Sequence, residues 1–293
     1  MKVSQKIRKQ FGESDDRRDA GVAAPEGLTC LYDIAYGSDD MQKLDLYRLE
    51  GTEDQKMPVL VSVHGGGWVY GDKERYRLYC QSLAKRGFVV VNFSYRLAPE
   101  HPFPASLEDT CMAFDFVMTH SEEYHYDLDY MFAVGDSAGG HLLGLYLNLL
   151  TNSAFASFFD FKPVHHPDLK AIALNCGVYH IDLESDELSA ALMKEVLPNG
   201  GDEKELKMVN VLDYTNKLWP PVFLMSASGD FLRQDAYLMA QKLVDLQKPF
   251  EFHFYDDGTA KLGHVFNLNL KRDISTKCND EECQFFASYL KKF

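Results

Sequence analysis

The sequence has no long apolar run and no excess of basic residues, and each absence excludes a class of partner. No stretch approaches the roughly 20 apolar residues that a membrane-spanning helix needs, and the apolar run 88–91 ends at Asn92. Lys and Arg number 30 against 44 Asp and Glu, which gives a net charge of −14. Because this charge repels nucleic-acid phosphates and anionic lipid, we expect neither a nucleic acid nor a membrane as partner.

Cysteine pairs and targeting segments are also missing. The six cysteines include no CxxC pair, and Cys278 and Cys283 are five residues apart, a poor spacing for a metal site. Scattered cysteines in a chain of 293 residues are typical of reduced thiols inside the cell. The first residues, 1–19, are charged throughout and contain no apolar segment of a secretory signal. We therefore expect a cytoplasmic protein that binds no metal.

Short β-branched or aromatic runs alternate with longer amphipathic stretches from Leu28 onward. The predicted strands are 28–36, 43–47, 58–63, 88–94, 130–135, 169–175, 222–226 and 250–255, and the predicted helices are 74–85, 105–119, 138–150, 232–246 and 280–292. Nearly continuous apolar strands are typical of a parallel sheet covered by helices on both faces. The pattern predicts an α/β fold with a mostly parallel sheet of about eight strands, whose first two strands form an antiparallel hairpin at one edge.

No repeat, low-complexity tract or linker divides the chain, so we expect one domain over residues 1–293. Residues 1–27 precede the first strand as a polar N-terminal extension. The segment of about 177–220 lies between two predicted strands and is longer than one crossover needs. A small helical cap over the carboxyl edge of the sheet is the favoured interpretation, and a longer crossover with surface helices is the alternative.

A nucleophile motif follows the predicted strand at 130–135. Gly135-Asp136-Ser137-Ala138-Gly139 is a Gly-x-Ser-x-Gly sequence between a strand and an apolar helix. In that context the serine occupies a sharp turn that exposes its hydroxyl, and the residues two positions away must be small. The sequence predicts Ser137 as the nucleophile and Asp136 in a supporting hydrogen-bonding role.

A glycine run follows the predicted strand at 58–63. Consecutive glycines after His64 let the backbone approach a reacting carbonyl, because no Cβ blocks the N–H groups. Gly66 and Gly67, with the amide of Ala138, are the predicted oxyanion donors, and His64 is expected to fix the loop by hydrogen bonding. A phosphate-binding loop is the weaker alternative, since no Gly-Lys-Ser/Thr follows.

The acid and the base are expected downstream of the nucleophile. Asp230 follows the predicted strand at 222–226, and His264 lies in a glycine-containing loop after the predicted strand at 250–255. Asp230 would orient His264, whose other ring nitrogen would accept the proton of Ser137. Asp235 lies deeper in the next helix and His253 lies within a strand, so both are weaker candidates. The adjacent histidines at 165–166 are interpreted as solvent-facing rather than as metal ligands.

Three motifs together resemble the hormone-sensitive-lipase-like esterase family of the α/β-hydrolases. They are His64–Gly67, Tyr95–Ala105 and Gly135–Gly140, in this order. The resemblance implies an α/β-hydrolase fold, serine carboxylesterase or lipase activity on short to medium acyl chains, and no cofactor. It further implies that Arg96 and Glu100 brace the oxyanion and nucleophile loops, with a purely structural loop as the alternative.

These features lead us to expect a serine carboxylesterase for uncharged esters with acetyl to butyryl groups, acylated sugars among them. An arylformamidase or another amidase or peptidase on the same triad is the first alternative. Arylformamidases commonly carry a bulky residue where Gly67 stands, which lowers their rank. A non-catalytic ligand-binding protein on the same fold is the second, although such receptors typically lose the base. The sequence leaves open whether the chain forms a homodimer.

Overall fold

Eight strands form one mostly parallel sheet in the computed structural model of the chain, which describes residues 2–184, 187–259 and 262–291. The strands are β1 (Leu28–Ala35), β2 (Lys43–Leu49), β3 (Met57–Val63), β4 (Val89–Phe93), β5 (Tyr126–Asp136), β6 (Leu169–Asn175), β7 (Val222–Ala227) and β8 (Phe250–Tyr255). They lie in the order β1-β2-β4-β3-β5-β6-β7-β8. The β1–β2 and β2–β4 pairs are antiparallel and the others are parallel. The α/β class and the edge hairpin are thus confirmed.

Helices connect these strands. They are α1 (Val3–Asp19), α2 (Lys73–Ala84), α3 (Ala105–Thr119), α4 (Ala138–Thr151), α5 (Ser153–Ala156), α6 (Glu187–Val196), α7 (Glu203–Val209), α8 (Val211–Tyr214), α9 (Arg233–Asp245) and α10 (Asp273–Ala287). The last helix starts at Asp273 rather than at 280, and its predicted end, Lys292, lies outside the described residues. None of the helices in the described ranges is long and apolar enough to cross a membrane.

The central strands bury side chains on both faces of the sheet. In β3, Val59 and Val61 belong to the larger core, whereas Leu60 belongs to a second core on the opposite face. In β4, Val91 belongs to the larger core and Val90 to the second core. This two-sided burial is why these strands are apolar without alternation. The sheet is therefore a rigid middle layer, from which the loops after the strands project.

Helices α6, α7 and α8 occupy the segment of about 177–220, between β6 and β7. Helix α1 packs against α6, where the backbone N–H of Val3 donates to the Glu195 carboxylate over 2.6 Å. The extension and the segment between β6 and β7 therefore contact each other. Parallel strands end at a common edge, so the loops after β3, β5, β7 and β8 emerge together, and these loops carry the predicted site residues.

Candidate active site

Ser137 occupies the turn between β5 and α4 in a strained backbone conformation. Its φ is 53° and its ψ is −117°, a region that costs a non-glycine residue about 1–3 kcal/mol. The turn needs a small neighbour, because a Cβ on Gly139 would lie 2.0 Å from the carbonyl oxygen of Val63. The Ser137 N–H donates to the carbonyl of Asn175 at the end of β6 over 2.9 Å. The neighbouring strand thus holds the serine in place.

The structure brings Ser137, His264 and Asp230 into one hydrogen-bonded chain. His264 Nε2 lies 2.9 Å from Ser137 Oγ, and His264 Nδ1 lies 2.8 Å from Asp230 Oδ1. A carboxylate can only accept, so Nδ1–H donates to Asp230 and the Nε2 lone pair faces the serine hydroxyl. This arrangement lets the imidazole take a proton from Ser137, the step that makes a serine hydroxyl nucleophilic at neutral pH.

Asp230 is fully buried, and yet its pKa stays low. Burial alone would raise its pKa, but the hydrogen bond from His264, the attraction of that ring when protonated and the other hydrogen bonds to the carboxylate together hold the pKa below its ordinary value. The backbone N–H of Leu232 and the hydroxyl of Ser226 also donate to this carboxylate, over 2.9 and 2.8 Å. The carboxylate is therefore ionised at neutral pH and fixes the orientation of the imidazole.

Cys176 lies beside Asp230 and His264, and the potential ligand atoms of the three residues lie within 4.8 Å of one another. Burial raises the pKa of the Cys176 thiol well above its ordinary value, and the Asp230 charge adds to this rise. Metal ions bind the thiolate rather than the thiol. The cluster is therefore better described as Asp230 and His264 with a neutral thiol beside them.

The predicted oxyanion donors lie on the loop after β3 and at the start of α4. Gly66 has a φ of 126°, and a Cβ there would lie 2.0 Å from the backbone oxygen of Tyr70. Gly67 has a φ of 60° and faces Leu192 of α6, whose nearest atom would lie 3.6 Å from an added Cβ. The Ala138 N–H belongs to the first turn of α4, where amides lack intrahelical acceptors. These amides can thus donate hydrogen bonds to an oxygen atom of a bound substrate.

Aromatic residues hold the glycine loop. The His64 ring stacks on Tyr95 with centroids 3.9 Å apart, and the Tyr95 hydroxyl donates to the His64 carbonyl over 2.9 Å. Burial lowers the pKa of His64 to about 4, so the neutral ring donates from Nδ1 to the Gly65 carbonyl. The Gly65 N–H donates in turn to the Tyr76 hydroxyl over 2.8 Å. The hydrogen bonds of His64 therefore hold the glycine loop, and none of them joins it to Ser137, Asp230 or His264.

Asp136 is buried beneath the serine turn. Its Oδ2 accepts from Asn267 Nδ2 over 3.4 Å. Burial raises its pKa to about 8, and the nearby Glu282 carboxyl adds to this rise. Asp136 therefore holds a proton near neutral pH.

Glu100 makes no hydrogen bond to Ser137, Asp230 or His264, and its side chain is more than half exposed. It pairs with Arg8 of α1, whose Nη1 donates to Glu100 Oε1 over 2.8 Å. The Nε of Arg8 donates to the carbonyl of Val69, at the end of the glycine loop, over 2.7 Å. Arg96 pairs with Asp109 and Glu108. Within the described residues, Glu100 thus reaches the oxyanion loop only through Arg8.

Sequence reasoning missed residues that complete this site. Asn175 accepts the Ser137 N–H, and the Phe231 ring lies 4.4 Å, centroid to centroid, from the His264 ring, with most of its surface exposed. Phe231 follows Asp230 directly, a position that could have marked it as a site residue. His165, one of the adjacent histidines, lies beside Asp115.

A family profile described as alpha/beta hydrolase fold matches residues 60–266. The versiconal hemiacetal acetate esterase of Dothistroma septosporum is 29% identical over 240 residues, which cover 76% of this chain and 71% of the relative. Esterase LipI of Mycobacterium tuberculosis is 28% identical over 223 residues, which cover 69% of this chain and 64% of LipI.

Solved structures share the fold. Esterase B of Lactobacillus rhamnosis superposes with a TM-score of 0.88 at 24% identity, over 98% of this chain and 95% of that one. A bacterial heroin esterase superposes with a TM-score of 0.79 at 21% identity, over 100% of this chain and 95% of that one. At such low identity these likenesses describe the architecture and leave the substrate open.

Proposed function

This chain belongs to the α/β-hydrolase fold family, in its hormone-sensitive-lipase-like branch, and from that membership we propose that it is a serine carboxylesterase for uncharged, short-chain acyl esters. The enzyme class, carboxylic ester hydrolase, is that of its curated relatives. Ser137 is the proposed nucleophile, His264 the base and Asp230 the residue that orients the base. Gly66, Gly67 and Ala138 are the proposed oxyanion donors.

The observation that carries the proposal is the pair of hydrogen bonds that joins the three side chains. Ser137 Oγ, the His264 ring and Asp230 Oδ1 are linked by contacts of 2.9 and 2.8 Å, the distances that proton transfer requires. The three residues come from loops after β5, β7 and β8. Their convergence on one point is hard to explain by the packing of the fold alone.

The proposed reaction has two halves. Ser137 Oγ attacks the ester carbonyl while its proton passes to His264 Nε2, and the amides of Gly66, Gly67 and Ala138 bind the resulting oxyanion. The carbon–oxygen bond to the alcohol then breaks, and His264 protonates the departing alcohol. Water attacks the acyl-enzyme in the same way, releases the carboxylic acid and returns the proton to Ser137.

Three observations support small, uncharged substrates. Leu192 of the segment between β6 and β7 faces Gly67, so an apolar side chain lies over the proposed oxyanion donors and limits the room for an acyl chain. The net charge of −14 disfavours anionic esters. One relative is named for an acetate ester, which supports the acetyl end of the proposed range of acetyl to butyryl. Acylated sugars fit this range.

The test is the hydrolysis of p-nitrophenyl esters from C2 to C12 by the wild type, Ser137→Ala and Ser157→Ala. Ser157 lies on the surface after α5, so its variant controls for the loss of a serine hydroxyl. We expect a maximum at C2–C4 and a loss of kcat on the order of 10⁴-fold or more for Ser137→Ala alone.

The other outcomes reject parts of the proposal. A maximum at C8 or beyond would reject the short-chain preference. Full activity of Ser137→Ala would reject the nucleophile. No turnover of any ester by the wild type would reject the esterase and favour a ligand-binding protein on this fold.

A further inference from the structure

Helix α10 presents three polar side chains to the interior on one face. Ser275, Asn279 and Glu282 are spaced by four and three residues, so they lie above one another on the helix. All three are fully buried. Buried polar groups cost free energy unless they are hydrogen-bonded, so the contacts of this face need an explanation.

Two of these residues hold the loop that carries His264. The Ser275 hydroxyl donates to the carbonyl of Phe266 over 2.7 Å, and Asn279 Nδ2 donates to the carbonyl of Asn267 over 3.1 Å. Phe266 and Asn267 begin a short 3-10 helix directly after His264 and Val265. The amino-terminal half of α10 thus fixes the backbone on the carboxyl side of the base.

The third residue holds the strand end behind the nucleophile. Glu282 Oε2 accepts from Asn175 Nδ2 over 2.6 Å, and Glu282 Oε1 accepts from the Tyr79 hydroxyl over 3.1 Å. The backbone carbonyl of the same Asn175 accepts the Ser137 N–H over 2.9 Å. A single residue, Asn175, therefore links the Glu282 carboxyl to the backbone of the strained serine turn.

We propose that Glu282 is a positioning residue for ester hydrolysis, which fixes Asn175 and, through the Asn175 carbonyl, the backbone of Ser137. The inference rests on the proposed function, since it assigns Glu282 a part in the reaction of Ser137. Glu282 contacts no reacting atom in this arrangement. Its effect passes through the geometry of the nucleophile turn.

Glu282 ionises near neutral pH, where the enzyme would work. Burial raises its pKa to about 7, although the hydrogen bonds from Asn175 and Tyr79 and the charge of Arg86 oppose this rise. The titratable or charged groups that interact with it are Tyr79, Cys80, Arg86, Asp136, Cys278 and Cys283. Arg86 is paired with Asp280 at 2.7 Å. A change in the Glu282 side chain is therefore expected to alter a pH profile as well as a rate.

The experiment compares Glu282→Leu, Glu282→Gln and Glu281→Gln with the wild type. Leucine fills most of the space without accepting a hydrogen bond, whereas glutamine keeps one acceptor and removes the ionisation. Glu281 is the neighbour on α10 that contacts Tyr255 instead, so its variant is the matched control. The readouts are kcat, KM, the pH profile of kcat/KM and the rate at which a fluorophosphonate labels Ser137. In that labelling the serine oxygen bonds to phosphorus, fluoride departs and the proton passes to His264.

We expect Glu282→Leu to lower kcat and the labelling rate about 10- to 100-fold while KM changes less than about twofold. Glu282→Gln should have a kcat within about fivefold of the wild type at pH 7. Its pH profile should differ from that of the wild type near pH 7 to 8, where Glu282, with a pKa of about 7, and Asp136, with a pKa of about 8, titrate. Glu281→Gln should match the wild type in all four readouts.

Two results would overturn the inference while the proposed function stands. One is a folded Glu282→Leu protein, with a cooperative melting transition, that is labelled at the wild-type rate. The other, which decides if Glu282→Leu does not fold, is a pH profile of Glu282→Gln that superposes on the wild type. A wild-type protein that neither hydrolyses esters nor reacts with the fluorophosphonate would remove the proposed function and this inference together.

Discussion

Gly66 and Gly67 are adjacent glycines with different steric surroundings. Both have positive φ values, but only Gly66 has a backbone atom in the space that a Cβ would occupy, the Tyr70 oxygen at 2.0 Å. At Gly67 the nearest atom would be in ordinary contact at 3.6 Å. Gly66 is therefore required for the shape of the loop, whereas Gly67 needs only a left-handed conformation.

This difference predicts unequal effects of alanine. Gly66→Ala should lower kcat/KM by about 10²- to 10³-fold, the typical loss when an oxyanion donor is displaced. Gly67→Ala keeps its N–H in place at a strain cost of roughly 1–2 kcal/mol and should retain kcat/KM within about tenfold. Steady-state kinetics on a C2 ester measures both.

Gly51→Ala is the matched control, because Gly51 has a φ of 80° and no atom within 4 Å of an added Cβ. Alanine at this position would have the same left-handed strain, in the turn between β2 and β3 and far along the chain from Ser137. Equal losses in Gly66→Ala and Gly67→Ala would contradict the steric argument.

At the scale of elements, helix α1 is held to the rest of the molecule by the packing of Val3, Ile7 and Phe11 and by polar contacts. Only Ser4 and Ile7 of its residues are buried. Ser4 and Val3 bind Glu195 of α6, and Arg8 donates to the carbonyls of Val69 and Ala98 over 2.7 and 3.0 Å. The helix thus links the segment between β6 and β7 to the loop that carries the proposed oxyanion donors.

Arg8→Ala should loosen this link. Loss of the charge-assisted bonds to Val69 and Ala98 is expected to lower the free energy of unfolding by about 1 kcal/mol, since the side chain is partly exposed. We expect kcat/KM to fall roughly three- to tenfold, because the loop would be less well ordered. Thermal unfolding and ester kinetics measure the two effects. Arg17→Ala, an exposed arginine on the same helix, is the control, and equal behaviour of the two variants would refute the role of Arg8.

Helix α10 shows why element boundaries were harder to predict than element types. Its start was expected at 280, but the helix begins at Asp273. The first two turns have little apolar periodicity, because their inward residues, Ser275 and Asn279, are polar and bind backbone carbonyls of another loop. Such a face has no signature in the pattern of hydrophobic residues. Helix α1 was missed for another reason: Val3, Ile7 and Phe11 pack against the core at helical spacing, but the many charged residues between them hide that spacing.

At the scale of the whole molecule, Asp136 and Glu282 link stability to pH. Burial raises the pKa of Asp136 from 3.8 to about 8 and that of Glu282 from 4.5 to about 7. The folded chain therefore binds protons that the unfolded chain has released. The stability from this difference is fully present below the unfolded pKa values and is lost as pH rises through the folded ones.

Asp136→Asn should remove part of this pH dependence. Between pH 5 and pH 8 the wild type should lose about 3–4 kcal/mol of free energy of unfolding relative to the variant, since each pH unit between the unfolded and folded pKa values is worth about 1.4 kcal/mol. Urea unfolding at several pH values measures the difference. Asp245→Asn, on the surface of α9, should leave the wild-type slope unchanged. Parallel slopes for the wild type and Asp136→Asn would show that Asp136 is not protonated in the folded state.

The sequence by itself determined the fold class and the chemistry expected at the strand ends. Gly-x-Ser-x-Gly, the glycine run after His64 and the order Ser137, Asp230, His264 are local patterns, because each depends on a turn that only certain residues can form. A few consecutive apolar residues are likewise enough to indicate a strand that is buried on both faces. The structure brings the three triad side chains to hydrogen-bonding distance, and their roles stay a proposal.

Only the tertiary structure decided what supports those patterns. Glu282 lies 107 residues from Asn175, and Arg8 lies 61 residues from Val69. No local spacing encodes such contacts, because the packing of distant elements sets them. Glu100 illustrates the difference: its motif predicts a brace for the glycine loop, but only the structure shows the contact with Arg8 of α1 that joins it to that loop. Local sequence determines the turn that carries each proposed catalytic side chain, and the packing of distant elements determines which residues hold those turns in place.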